Sequence, residues 1–217
     1  MTKRFGFTLA EVLITLTIIG VIAAMTIPTL MSNTSDQEFK TGFKKAISTI
    51  NQAITMQYAL EGTDMSNYTS PGTDVFNTTY GVANAVFQQR MQVISTAASR
   101  TTGKAHTGNE NGNAAIYLSD GMVIEFPSGK MDGTQGKGAG MSQSCLDNVY
   151  NAGSNPTGCL YTVVVDVNGD KGTCQVATET TSTNGKVRAK DCFPVNIHAD
   201  GARPANFVGR EIMYGGK

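Results

Sequence analysis

Residues 1–30 read MTKRFGFTLAEVLITLTIIGVIAAMTIPTL, and the rest of the chain is organised around them. From Val12 to Ile27 there is no charge, and the only polar side chains are threonines. With its flanks the apolar run reaches from Phe7 to Leu30. A helix of about 20 residues spans bilayer hydrocarbon at roughly 1.5 Å per residue, so this segment is long enough. Lys3 and Arg4 precede it, and the positive-inside bias then keeps the N-terminus cytoplasmic and sends the rest across. A secretory signal peptide fits less well, because Ala23 and Ala24 are flanked by the large Ile22 and Met25 and the apolar run continues beyond them. A plain membrane anchor leaves Glu11 unexplained. A carboxylate at the edge of hydrocarbon is costly, which marks it as a functional candidate.

Taken together these residues resemble the prepilin-type leader and methylation motif shared by type IV pilins, minor pilins and type II secretion pseudopilins. The resemblance covers about thirty of the 217 residues. It implies a basic leader of residues 1–6 ending in Gly6, cleavage by a prepilin peptidase, and a new N-terminus at Phe7 that is N-methylated. Glu11 becomes the fifth mature residue, paired with a Phe7 amine. Removing one partner of such a buried pair costs about 3–5 kcal/mol in comparable sites. Gly20 and Pro28 fall where family helices carry a loosening glycine and a proline. Proline lacks an N–H and disrupts a helix interior, and glycine costs about 1 kcal/mol relative to alanine there. An ordinary membrane-helix kink explains both equally well.

Beyond the anchor, Phe39, Phe43, Ile47, Ile50, Ile54 and Tyr58 recur at spacings of three and four, an amphipathic stripe that ends before Gly62. The polar patch Ser32–Gln37 is either part of one rod, roughly 80 Å long from Phe7 to Glu61, or a break capped by Asn33–Ser35. A second helix is expected over Gly81–Arg100, with Val82, Val86, Ile94 and Ala97 buried and Arg100 favouring its C-terminal dipole. Asp120-Gly121 in AIYLSDGMVIEF and Asn168-Gly169 in YTVVVDVNGDKG predict tight hairpins of type I′. The expected fold class is therefore α+β and pilin-like: a long N-terminal helix, its first half transmembrane, packed on an antiparallel sheet. The expected divisions are leader 1–6, transmembrane and assembly segment 7–30, amphipathic half 31–61 and globular head 62–217. The run VVVDVNGDKG with KDCFPVNIHADG also resembles the C-terminal region of pilin-like secretion proteins, although Thr173-Cys174 replaces a proline-asparagine pair often seen there.

Charged residues make up 16% of the chain, well under the roughly 25% of soluble domains, and the formal net charge is zero. With no long basic run interleaved with aromatics, nucleic acid is not expected as the main partner. Cys145, Cys159, Cys174 and Cys192 lack the close pairs of a zinc site and suit two disulfides in an oxidising compartment. Sequential pairing, Cys145–Cys159 and Cys174–Cys192, closes the shortest loops and is the expected choice among three connectivities. Asp166, Asn168 and Asp170 sit at positions one, three and five of a calcium-like loop, but Lys171 and Ala177 stand where glycine and a bidentate glutamate belong. A hairpin turn is the simpler reading, and no cofactor other than a possible calcium is expected. His106 and His198 adjoin no recognisable nucleophile motif, so catalysis is not expected.

The functional expectation is a structural subunit, cleaved, N-methylated and polymerised with other pilin or pseudopilin subunits. It crosses the inner membrane once, with its head periplasmic or extracellular and on the cell surface after assembly. The alternatives are a membrane-tethered adhesin or tip-binding minor pilin present in few copies, and a secreted hydrolase, which leaves Glu11 without a use.

Overall fold

A computed structural model describes residues 6–68, 83–97, 100, 114–126, 159–176 and 189–215. One helix, α1, runs unbroken over Leu9–Glu61. Residues Met1–Glu38 and Phe39–Lys217 form two separate compact units.

In the first unit the side chains of α1 lie on the outside. Leu13, Ile14, Leu16, Ile18, Ile19, Val21, Ile22 and Leu30 are all exposed, as a lipid- or subunit-facing surface requires. This is one helix long and apolar enough to cross a membrane. Its threonines stay compatible with hydrocarbon because their hydroxyls bond back to the preceding turn. Thr15 donates to the Val12 carbonyl, Thr17 to Leu13, Thr26 to Ile22 and Thr29 to Thr26, at 2.8–2.9 Å. The helix continues through Pro28, and Gly20 has open space where a side chain would stand. Ser32–Gln37 is helical, so the capped break is not formed.

In the second unit α1 buries Phe43, Ala46, Ile47, Ile50, Ala53 and Ile54 against a six-stranded sheet. Tyr58 does not complete the stripe: it is 62% exposed, and Gln57 is buried instead. The Gln57 amide oxygen accepts from Arg90 Nε at 3.0 Å, and Arg90 Nη2 pairs with Glu61 at 2.8 Å. The strands are β1 Val93–Ala97, β2 Ala114–Leu118, β3 Val123–Phe126, β4 Cys159–Asp166, β5 Cys192–His198 and β6 Gly201–Pro204. They lie in chain order, each antiparallel to the next. A short helix, α2, follows at Phe207–Tyr214, capped by Asn206 Oδ1 accepting from Gly209 N at 2.8 Å. Phe43 stacks on Phe193 of β5, with ring centroids 4.3 Å apart. Asn51 of α1 bonds both backbone groups of Ala202, accepting at 2.7 Å and donating at 3.3 Å, so a helix side chain engages β6 as a further strand would.

Period-two alternation gives the sheet two different faces. Ile116, Leu118, Ile124, Phe126, Val163, Val165, Phe193, Val195 and Ile197 join the core with α1. The opposite face carries Val164 and Cys192 packed with Cys174, and also Glu125 and Asp166.

Three expectations about this unit are corrected. The helix expected over Gly81–Arg100 is confined, among the described residues, to Ala83–Arg90, which opens as a π-helical turn, and β1 follows it. Val93, Ile94 and Thr96 are β-branched and favour an extended backbone. Ile94, expected to be buried, is 71% exposed, while Val86 and Phe87 are fully buried; Val82 lies outside the described residues. The turn at Asp120-Gly121 is not a two-residue type I′ turn. Gly121 N donates to Leu118 O, Leu118 N donates to Met122 O, and Gly121 has φ +87°, which is the three-residue hairpin with glycine in the left-handed position. Asn168-Gly169 is not a tight two-residue hairpin turn, because it lies in a long connection from β4, which ends at Asp166, to its neighbour β5, which begins at Cys192. Gly169, at φ +67°, instead brings its backbone against the β2–β3 turn, where a Cβ would stand 2.4 Å from the Gly121 carbonyl oxygen.

Candidate functional site

The N-terminal site is built from Gly6, Phe7, Thr8 and Glu11. Gly6 has open space around it, and Phe7 is 88% exposed ahead of the first turn of α1. Thr8 caps the helix. Its hydroxyl oxygen accepts from Glu11 N at 3.3 Å, and the Glu11 carboxylate reaches back to accept from Thr8 N and Thr8 Oγ1, both at 2.8 Å. These reciprocal bonds form a capping box, in which residues three apart satisfy each other's free backbone donors. The arrangement fixes the Glu11 carboxylate one turn from the Gly6–Phe7 junction and leaves it exposed to a neighbouring group.

A second cluster lies on the far face of the sheet. Arg100, with a wholly buried side chain, bonds four residues of β3, β4 and the turn after β4. Its Nη1 pairs with Glu125, and its Nη2 donates to Asp166 Oδ2 at 2.6 Å, Asp170 Oδ1 at 2.9 Å and the Gly169 carbonyl at 3.2 Å. Glu125 faces Val164 across β3–β4, which places Asp166 on its diagonal, within reach of one guanidinium. Asp166 Oδ1 accepts from Asn168 N at 3.2 Å. The Asn168 amide donates to Asp191 at 3.3 Å, and its own buried Oδ1 has no hydrogen-bond partner among the described residues. Of the calcium candidates, then, Asp166 and Asp170 converge on Arg100 while Asn168 turns aside. Cys174 and Cys192 are joined by a disulfide, Cα atoms 5.4 Å apart, directly beside Asp166. The expected Cys145–Cys159 link lies outside the described residues, as does His106; His198 is buried on β5.

Residues 1–27 match the family model of the prokaryotic N-terminal methylation motif. Over these residues the chain is similar to the type IV pilins and pseudopilins, and the match supports that family. The match takes in the basic residues Lys3 and Arg4, Glu11 and most of the apolar segment, and no curated protein and no solved structure matches the chain. A pilin-like architecture agrees with it: an apolar N-terminal helix followed by an antiparallel sheet. The motif and the helix together fit membrane anchoring and a processed, structural subunit.

Two features of this pilin-like chain are absent from the sequence reading. The capping box is written in the sequence as Thr8-x-x-Glu11, just ahead of an apolar run, and that spacing alone identifies it. Arg100 has no such signal, because its partners stand 25, 66 and 70 residues away. Burial pushes the Asp166 carboxyl up to about 6, against the opposing pull of Arg100 and with a further upward push from Asp191. Nearby Tyr117 is also raised, first by burial and then by Asp170. The ordinary aspartate value is 3.8, so the folded chain holds this proton more tightly than the unfolded one. The associated stability is complete below about 3.8 and is lost as pH rises through about 6, at most about 3 kcal/mol. The expected result is a thermal midpoint that rises as pH falls from 7.5 towards 5, with the slope flattened in Asp166→Asn. Near-ultraviolet circular dichroism melts of the two proteins across that range check it, and equal slopes contradict it.

Proposed function

We propose that this chain is a prepilin or pseudopilin, cut after Gly6 by a prepilin peptidase, N-methylated at Phe7 and polymerised into a type IV pilus or secretion pseudopilus. It crosses the inner membrane once, N-terminus inward, before assembly. The match over residues 1–27 carries this reading. The geometry supports it in two ways. The Gly6–Phe7 junction is open to a protease, since glycine lets the backbone approach closely and Phe7 is exposed. The Glu11 carboxylate is held one turn away, where the free amine of Phe7, its own or a neighbour's, becomes its ionic partner.

Phe7–Leu30 serves as the transmembrane and assembly segment, residues 31–61 as the amphipathic half of the helix, and residues 62–217 as the head. Cleavage removes Lys3 and Arg4, two of the 17 basic side chains, and none of the 17 acidic ones, so the formal charge moves from zero to −2. Intact mass of membrane-extracted protein is expected to correspond to a chain starting at Phe7 and carrying one N-methyl group. A start near Ala24 or Met25 identifies a conventional signal peptide and ends the prepilin reading.

A further inference from the structure

We propose that Arg100 is a built-in cation that takes the place of a divalent metal in the Asp166–Asp170 loop, making the order of the head independent of calcium. The loop has the one-three-five spacing of a calcium loop at Asp166, Asn168 and Asp170. Calcium gathers six to eight oxygens at about 2.3–2.6 Å. Here the Asp166 carboxylate, the Asp170 carboxylate and the Gly169 carbonyl gather around Arg100 Nη2 at 2.6, 2.9 and 3.2 Å. Glu125 closes the cluster on Nη1.

A metal bound among these oxygens overlaps the guanidinium and sets two like charges side by side, so it enters only if Arg100 leaves. Arg100 is fully buried, held by three ion pairs, and its departure breaks the pairs with the buried carboxylates of Glu125 and Asp166. Asn168, the middle position of the pattern, is turned to Asp191. The residue after Asp170 is Lys171, in place of the glycine that a calcium loop needs there. A guanidinium also does what a loosely held ion cannot. It belongs to the chain itself, at residue 100 between β1 and β2, so one side chain bonds β3, β4 and the turn after β4 at once.

The test is thermal unfolding of the full-length chain in detergent, with EDTA and with millimolar calcium chloride. Wild-type midpoints are expected to coincide in the two conditions. Arg100→Ala is expected to melt lower in EDTA, by on the order of 10 °C, and calcium is expected to restore part of the loss, because Glu125, Asp166 and Asp170 then lose the guanidinium. A wild-type midpoint that rises saturably with calcium overturns the proposal. So does an Arg100→Ala chain that melts with wild type, or one that calcium does not help. If Arg100→Ala fails to fold, Asp170→Asn decides the question, since the half-exposed Asp170 leaves both buried pairs intact. That variant is expected to stay indifferent to calcium, and a calcium response present in wild type but lost in Asp170→Asn places a metal in the loop and refutes the assignment.

Discussion

Glu11→Ala is expected to leave the chain inserted and cleaved and to remove it from filaments. The substitution makes the membrane segment more apolar and lies five residues past the scissile bond, so neither insertion nor cleavage should suffer. It does remove two interactions at once, the capping box with Thr8 and the charge for the Phe7 amine. The two differ greatly in size. A lost cap costs about 1 kcal/mol and frays only the first turn of a 53-residue helix. An amine left unpaired in low dielectric costs about 3–5 kcal/mol, a hundredfold or more in the equilibrium for each subunit added. Glu11→Gln separates them, because glutamine at this position still completes a capping box but carries no charge. Sheared-filament yield, scored beside the mass of the cleaved subunit, is expected to collapse for both variants. Wild-type yield from Glu11→Gln with loss in Glu11→Ala makes the cap, and not the charge, the assembly determinant.

How much of this molecule is legible in the sequence depends on the range of the interaction. The helix α1 is visible from Phe7 onward because both of its signals are local: an uncharged run for the membrane half, and Phe43, Ile47, Ile50 and Ile54 at helical spacing for the rest. The same local logic fails at its end. Tyr58 extends the stripe by hydrophobicity, but the inward position belongs to Gln57, whose amide is satisfied by Arg90, 33 residues on. In the segment after Gly81, alanines and glutamines suggest helix, and the short run Val93–Ala97 is read as its continuation. Pairing with β2 makes it a strand instead, an instance of tertiary context overriding propensity.

Glu125 shows the clearest limit. In Val123-Ile124-Glu125-Phe126 the alternation announces a strand with one polar face, and a polar face ordinarily means solvent. Here that face is covered, and the buried Glu125 pairs with Arg100, which arrives from 25 residues earlier. The same holds for Asp166, Asn168 and Asp170, whose spacing imitates the start of a calcium loop but reads more simply as a hairpin turn. The spacing does describe a loop that wraps a positive charge, and the charge comes from elsewhere in the chain.

Converting both Cys174 and Cys192 to alanine is expected to lower the melting midpoint of the full-length chain by on the order of 10 °C. The link closes a sequence separation of 18 residues, and a loop of that size restrains the unfolded chain by about 3 kcal/mol. Its position adds a local consequence. Cys192 faces Asp166 directly across β4–β5, and Cys192 N donates to Gln175 O at 3.1 Å while Gln175 N donates to Asp191 Oδ1 at 2.8 Å. The disulfide therefore clamps the returning chain against the strand end that carries Asp166, next to the Arg100 cluster. Without it, the contacts of Asp191 with Asn168 and Gln175 lose their anchor, and water reaches a buried carboxylate. Hydrogen exchange is expected to quicken first over Val163–Val176 and around Asp191, while Phe43–Ile54 of α1 keep their protection, since their packing rests on the opposite face of the sheet. Uniformly faster exchange across the sheet and α1 would instead make the disulfide a global staple acting only through the unfolded chain. An unchanged midpoint would show that the Arg100 ion pairs hold this end of the sheet without it.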